Sequence, residues 1–270
     1  IMGAGAFIMA QWKGISYLKI IAVATIPAIM YFVSVAYFVH IEALKHGIVP
    51  TPKEDLPRLG AVLKEGIHFT IPVILLIFLL VRGFTPTYAA CIGIVGVVVV
   101  SWFKKDTRMG IRDIFDALYM GARNTISTAA ILICVGIVIG VGAITGVAIT
   151  FSGVVMDLSG GILFFAIILV MLASLILGMG LPVTASYIML AVLAGPALVQ
   201  MGVSLLAAHM IIFWYSQDAN VTPPVCLAAF SAAGVAGSKP MQTGFTSWKL
   251  AKGLYIIPFL FAYTPILFEG

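Results

Sequence analysis

Oxygen-bearing side chains lie at two interruptions in the most apolar part of the sequence, between residues 161 and 237. The first interruption reads GMGLPVTAS and carries the hydroxyls of Thr184 and Ser186. The second reads SQDANVTPP and carries Asp218, Asn220 and Thr222. Oxygen atoms are the ligands that hard cations prefer. The pattern therefore predicts a site for a hard cation, built from two separate segments.

Glycine and proline residues explain why both segments are interrupted. Gly178, Gly180 and Pro182 break the first, and Pro223 and Pro224 break the second, because proline lacks an N–H donor and glycine weakens a helix. In lipid, broken backbone persists only where protein buries it or a polar cavity hydrates it. Two such breaks in neighbouring apolar segments point to a transporter binding site. The predicted cation- and substrate-binding residues are Gly178, Gly180, Thr184, Ser186, Asp218, Asn220, Thr222 and Pro223, with sodium at Gly178, Ser186, Asn220 and Thr222.

Simpler interpretations stand beside these assignments. Small residues such as Gly178 also allow close helix packing. Asp218 is either an intramembrane functional acid or a residue near the interface that pairs with Lys249. His209 has no second ligand nearby, which favours a packed, hydrogen-bonded core histidine over a proton relay.

The composition indicates an integral membrane protein. The chain is 62% hydrophobic and 9% charged, with a mean hydropathy of +1.16, whereas soluble domains carry about 25% charged residues. Apolar runs of ~18–25 residues match the length of membrane-spanning helices rather than barrel strands. Cys91, Cys134 and Cys226 lie in apolar runs and are predicted to be small buried residues without disulfide or metal spacing. Because the chain opens on Ile1 inside an apolar stretch, we expect it to be a fragment of a longer protein.

The apolar runs divide the chain into three parts. Residues 1–40 are the end of a first repeat. Residues 41–124 hold a polar loop, two spans and an amphipathic interfacial helix. Residues 125–270 hold the second repeat, with a hairpin at 162–198 and a broken helix at 205–238. The predicted spans and polar segments are 20–38, 41–66 (loop), 69–81, 88–103, 104–124 (interfacial helix), 128–155, 239–249 (loop) and 251–267.

Charge orients these parts in the membrane. Placing 41–66 and 104–124 in the cytoplasm also brings Lys239, Lys249 and Lys252 to that side, so that 12 of the 15 Lys and Arg residues lie there. The charges do not separate a re-entrant hairpin at 162–198 from two full spans. The first arm, about 16 residues, reaches roughly 24 Å and favours the hairpin.

An internal repeat supports a transporter. The opening GAGAFIMA…ISYLKIIAVATIPAIMY is similar to LAAFSAAG…TSWKLAKGLYIIPFLFA near the end, with Pro27 aligned to Pro258. On the charge-derived orientation the two copies cross the membrane in opposite directions, as in an inverted-topology repeat.

Three motifs resemble a known family: GMGLPVTASYIML, AAHMIIFWYSQDANVTPPVCLAAF and SWKLAKGLYIIPF. They resemble the large permease subunit of tripartite ATP-independent periplasmic (TRAP) transporters, specifically the second half of fused permeases that work with TAXI-type binding proteins. The resemblance implies an all-α elevator-type transporter with inverted repeats in the bacterial inner membrane. It also implies sodium-coupled uptake of an organic anion, a periplasmic binding protein and a small or fused membrane subunit.

Other classes of protein are less consistent with the sequence. An intramembrane enzyme needs a catalytic set that this chain lacks, and a channel is expected to repeat a filter loop in a symmetric oligomer. No Walker-type loop for ATP is present, and neither a cofactor nor nucleic acid is expected. The alternative that remains is a stand-alone ion-coupled carrier of anions or dicarboxylates that uses no binding protein.

Overall fold

The structure, a computed structural model, describes residues 3–49, 52, 60 and 66–264. Every element of regular secondary structure in these ranges is a helix. The all-α prediction is therefore confirmed for this part of the chain. Two compact units can be distinguished, one formed by Ile1–Leu44 with Thr128–Gly270 and the other by Lys45–Ser127. The division into 1–40, 41–124 and 125–270 stays a prediction.

The unit Lys45–Ser127 contains a helical hairpin. Helix α3 (Thr70–Val81) packs against α4 (Pro86–Ser101). The turn between them passes through Gly83, whose φ of 84° favours glycine. Thr85 caps α4 by accepting a hydrogen bond from the N–H of Tyr88. After α4, the indole of Trp102 donates to the carbonyl of Met109 (2.9 Å) and closes the following loop.

The other unit carries the two interrupted segments and is built around one buried helix. Its described helices are α1 (Gly3–Lys13), α2 (Tyr17–Lys45), α6 (Val147–Ser159), α7 (Leu163–Leu177), α8 (Val183–Leu193), α9 (Gly195–Gln200), α10 (Leu205–Asp218), α11 (Leu227–Ala236), α12 (Pro240–Leu250) and α13 (Gly253–Tyr263). Helix α10 packs against α7, α8 and α13. Twelve of its 14 residues are buried.

Helix α5 (Ile111–Thr145) starts in one unit and ends in the other, and it differs from the prediction. We expected an interfacial helix at 104–124 and a separate span at 128–155. Instead, one helix of 35 residues runs through both, about 53 Å long and well beyond the ~30 Å of hydrocarbon. It ends at Gly146, which takes a left-handed φ of 72° before α6 begins.

Four further predictions need correction. Residues 41–45 continue α2 instead of starting a loop, and Pro240–Leu250 is a helix instead of a loop. Proline is well suited to the first turn of a helix. The N–H groups of that turn have no acceptor within the helix, so the N–H that proline lacks is not needed there. Cys91 and Cys134 are exposed, because α4 and α5 bury little of their surface; only Cys226 is buried. The part of the predicted 41–66 loop at 50–51, 53–59 and 61–65 lies outside the described residues.

Two described helices, α2 and α5, are long and apolar enough to cross a membrane. Helices α3, α4, α6, α7, α8 and α11 are apolar but shorter. A transporter whose helices break near the membrane centre is expected to contain such short segments.

The two copies of the predicted repeat share one feature and differ in another. Pro27 and Pro258 are both buried inside helices, α2 and α13. In the alignment that pairs Pro27 with Pro258, Tyr17 is paired with Trp248. Trp248 belongs to α12, however, and a turn separates α12 from α13. The first copy runs on without that turn, so the inverted repeat stays a prediction.

Candidate functional site

The helices end and restart at both predicted interruptions. Helix α7 ends at Leu177 and α8 starts at Val183, directly after Pro182. Helix α10 ends at Asp218 and α11 starts at Leu227. Each interruption therefore leaves a helix C-terminus and a helix N-terminus close together in the chain, with carbonyl and N–H groups that lack helical partners.

Gly178 is the point where the two interruptions touch. A Cβ atom at this position would lie 2.9 Å from Cβ of Ala219 and 3.0 Å from Oγ of Ser186. It would also lie 2.7 Å from the carbonyl oxygen of Ser174. No larger residue fits without moving one of these groups. The predicted residues Gly178 and Ser186 are thus brought together, against the residue that follows Asp218.

Three residues at this contact or next to it in the chain, Ser174, Ser186 and Asp218, have buried oxygen atoms without hydrogen-bond partners among the described residues. Ser174 and Ser186 are 0% exposed, and neither hydroxyl oxygen has a hydrogen-bond partner. Asp218 is also 0% exposed, and both of its carboxylate oxygens lack a partner. Buried polar groups are normally paired. A cluster of unpaired hard oxygens is chemically suited to a cation.

Asp218 is buried in the protein interior. The alternative pairing with Lys249 does not form, because neither carboxylate oxygen has a partner among the described residues. The tyrosines Tyr31, Tyr215 and Tyr255 lie within electrostatic range of the carboxyl group. An intramembrane acid in such a position is costly and usually functional.

The turn after Asp218 holds the other predicted residues of the second interruption. The Thr222 hydroxyl forms a hydrogen bond with the Tyr255 hydroxyl, and its backbone N–H donates to the Asp218 carbonyl (2.9 Å). The carbonyl of Asn220 accepts from the N–H of Ala228 (3.1 Å), which ties the turn to α11. Pro223 precedes Pro224 through a cis peptide bond. These contacts hold the turn, and the binding roles of Asn220, Thr222 and Pro223 stay predictions.

The sequence matches the family described as "Tripartite ATP-independent periplasmic transporter, DctM component" over residues 1–268. This chain belongs to that family. It is therefore a TRAP transporter large permease component, which is a membrane transport protein and not an enzyme. DctM components generally work with a periplasmic binding protein and a small membrane subunit. Among curated proteins, none matches the chain.

Two predicted residues of this DctM permease do not join the buried cluster. Gly180 has a φ of 78°, and no atom lies within 4 Å of its would-be Cβ. Thr184 is half-buried in the first turn of α8. Gly180 shapes the turn, since its backbone conformation suits only glycine.

Sequence reasoning missed Ser174, Ala219 and Tyr255. Ser174 lies four residues before Gly178 and therefore on the same face of α7, which is the signal that points to it. Ala219 and Tyr255 carry no comparable signal, because their roles depend on contacts between distant segments. His209 has the environment expected of a packed core histidine: it is 2% exposed, and its Nδ1 lies 3.0 Å from the Tyr187 hydroxyl.

Proposed function

We propose that this DctM permease couples sodium entry to the uptake of an organic carboxylate across the bacterial inner membrane. The buried, unpartnered oxygens of Ser174, Ser186 and Asp218 at the contact between the two interruptions carry the proposal. The substrate is delivered by a periplasmic binding protein of the TAXI type, and a small or fused membrane subunit completes the permease.

The residues fit a sodium ion by the chemistry of their donors. Hydroxyl and carboxylate oxygens suit a hard cation, and the carboxylate of Asp218 offsets its charge. Sodium, when bound, supplies positive charge and the energy of its gradient, about 2.3 kcal/mol per charge for each 100 mV of membrane potential. The helices that start at Val183 and Leu227 present N-terminal N–H groups, which favour an anion.

The same arrangement supports an elevator-type mechanism. Helix α7 has 15 residues, about 23 Å, so it is short for a full crossing and suits one arm of a re-entrant hairpin. Because Gly178 has no side chain, the tip of that hairpin packs closely against the break after α10. The two interruptions can therefore move as one body.

Uptake into proteoliposomes tests the function. The full-length permease is reconstituted with its binding protein outside, with and without an inward sodium gradient. Uptake that needs both supports the proposal. Uptake without the binding protein would identify a stand-alone anion carrier, and uptake driven by protons would exclude sodium as the coupling ion.

Replacing Ser186 with Ala is expected to raise the sodium concentration for half-maximal uptake by about tenfold, because one buried oxygen ligand is lost. Initial uptake rates measured across a sodium titration give this value. Ser231→Ala is the matched control, since the Ser231 hydroxyl is exposed and donates to the carbonyl of Leu227. An unchanged sodium requirement in Ser186→Ala would remove this residue from the site.

A further inference from the structure

A second cavity lies away from the two interruptions, between α1, α8, α9 and α10. Its volume is about 310 Å³, and its walls include Trp12, Lys13, Ala191, Pro196, Leu205 and His209. His209 precedes Asp218 by nine positions on α10, about 14 Å along the helix. The cavity is therefore distinct from the buried oxygen cluster. No function assigned so far uses it.

His209 provides one hydrogen-bond donor at this cavity. Its Nδ1 lies 3.0 Å from the hydroxyl of Tyr187, which is completely buried. When that hydroxyl donates to Nδ1, the proton of the neutral imidazole resides on Nε2. The ring then retains an N–H group that Tyr187 does not use.

Lys13 provides the positive charge. It is the last residue of α1, and its Nζ lies 4.5 Å from the centre of the Trp12 ring. The Trp12 ring meets the His209 ring edge-on at 6.2 Å. Within the described part of the chain, no carboxylate forms an ion pair with Lys13. The ammonium therefore lies over an aromatic face and lines the same cavity as the imidazole, and no carboxylate of the described residues neutralises it.

We propose that this cavity binds a small organic carboxylate. An ammonium and an imidazole N–H match the two oxygens of a carboxylate, and the aliphatic walls with the Trp12 ring accommodate its carbon body. Phosphate carries more oxygens than these two donors can satisfy, and burying an unsatisfied polar group is costly. The proposal rests on the proposed function in one respect, since it adds an entry site for the same class of anion.

Isothermal titration of butyrate, which has one carboxylate and a short aliphatic body, into the purified full-length permease in lipid nanodiscs tests this site. The titration is done in sodium-free choline chloride and without the binding protein. Saturable binding is expected for the wild type and for Asp218→Asn. Lys13→Gln is expected to weaken binding at least tenfold, as the loss of a charge-assisted hydrogen bond predicts. Lys13→Arg should keep most of the affinity because it keeps the charge.

Lys19→Gln is the matched control, because Lys19 is exposed and lies outside the cavity. Equal weakening in Lys13→Gln and Lys19→Gln would show a general charge effect and overturn the proposal. So would an absence of saturable binding in the wild type, a loss of binding in Asp218→Asn, or phosphate binding as tight as butyrate binding. Sodium-independent uptake with butyrate binding intact would instead refute the proposed function alone.

Discussion

Replacing Asp218 with Asn is expected to lower sodium-dependent uptake by at least a hundredfold while leaving the protein folded. Asparagine has nearly the same size but carries no charge. The carboxylate is 0% exposed and has no hydrogen-bond partner. A buried charge without a partner destabilises a protein, so its presence is explained by a cation that offsets it. Initial uptake rates over a range of sodium concentrations measure the effect.

Two observations separate this interpretation from a structural role for Asp218. In sodium-free buffer the melting temperature of Asp218→Asn should equal or exceed that of the wild type, because an unpaired buried charge has been removed. Asp157→Asn, an exposed acid on α6, should retain normal uptake. Sodium-dependent uptake at the wild-type level in Asp218→Asn would refute the proposed cation site.

Gly178→Ala is expected to reduce uptake more than tenfold and to lower the melting temperature. The added methyl would lie 2.7 Å from the Ser174 carbonyl oxygen and 2.9 Å from Ala219 Cβ. Overpacking of this kind costs about 1–3 kcal/mol and forces the turn at Gly178 away from the break after α10. Uptake assays and thermal unfolding of the same preparation report the two effects.

Gly234→Ala is the control for this substitution. Gly234 lies inside α11, and no atom approaches within 4 Å of its would-be Cβ. Alanine should be tolerated there and slightly favour the helix, by up to about 1 kcal/mol. If Gly178→Ala and Gly234→Ala transported equally well, close contact between the interruptions would be irrelevant to transport.

The positions of the two interruptions could be predicted because proline and glycine act locally. Pro182 stands immediately before α8, and the helix before Pro223 and Pro224 ends at Asp218. The all-helical membrane class followed from composition alone. Local chemistry did not predict that Gly178 would meet Ala219, because 41 positions separate them in the chain.

The five glycines between Gly136 and Gly153 show why helix boundaries were harder to predict. Each weakens a helix by a similar amount, about 1 kcal/mol relative to alanine. Only Gly146 takes a left-handed conformation among them, while α5 runs on through Gly136, Gly140 and Gly142. The residue type alone therefore does not tell which of several similar glycines ends a helix. Likewise, the segment 239–249 was predicted to be a loop, but Pro240 is the first residue of α12.

Helix α10 presents almost no surface to lipid. Only Leu205 and Gln217 escape full burial, so His209, Ser216 and Asp218 can lie in a membrane protein without meeting hydrocarbon. What limits substitution on this helix is therefore side-chain volume and the supply of polar partners, rather than contact with lipid. A polar residue is tolerated there where a neighbouring group or a bound ion satisfies it, whereas a side chain of a different size disturbs the packing. An exposed apolar helix such as α5 is under the opposite constraint.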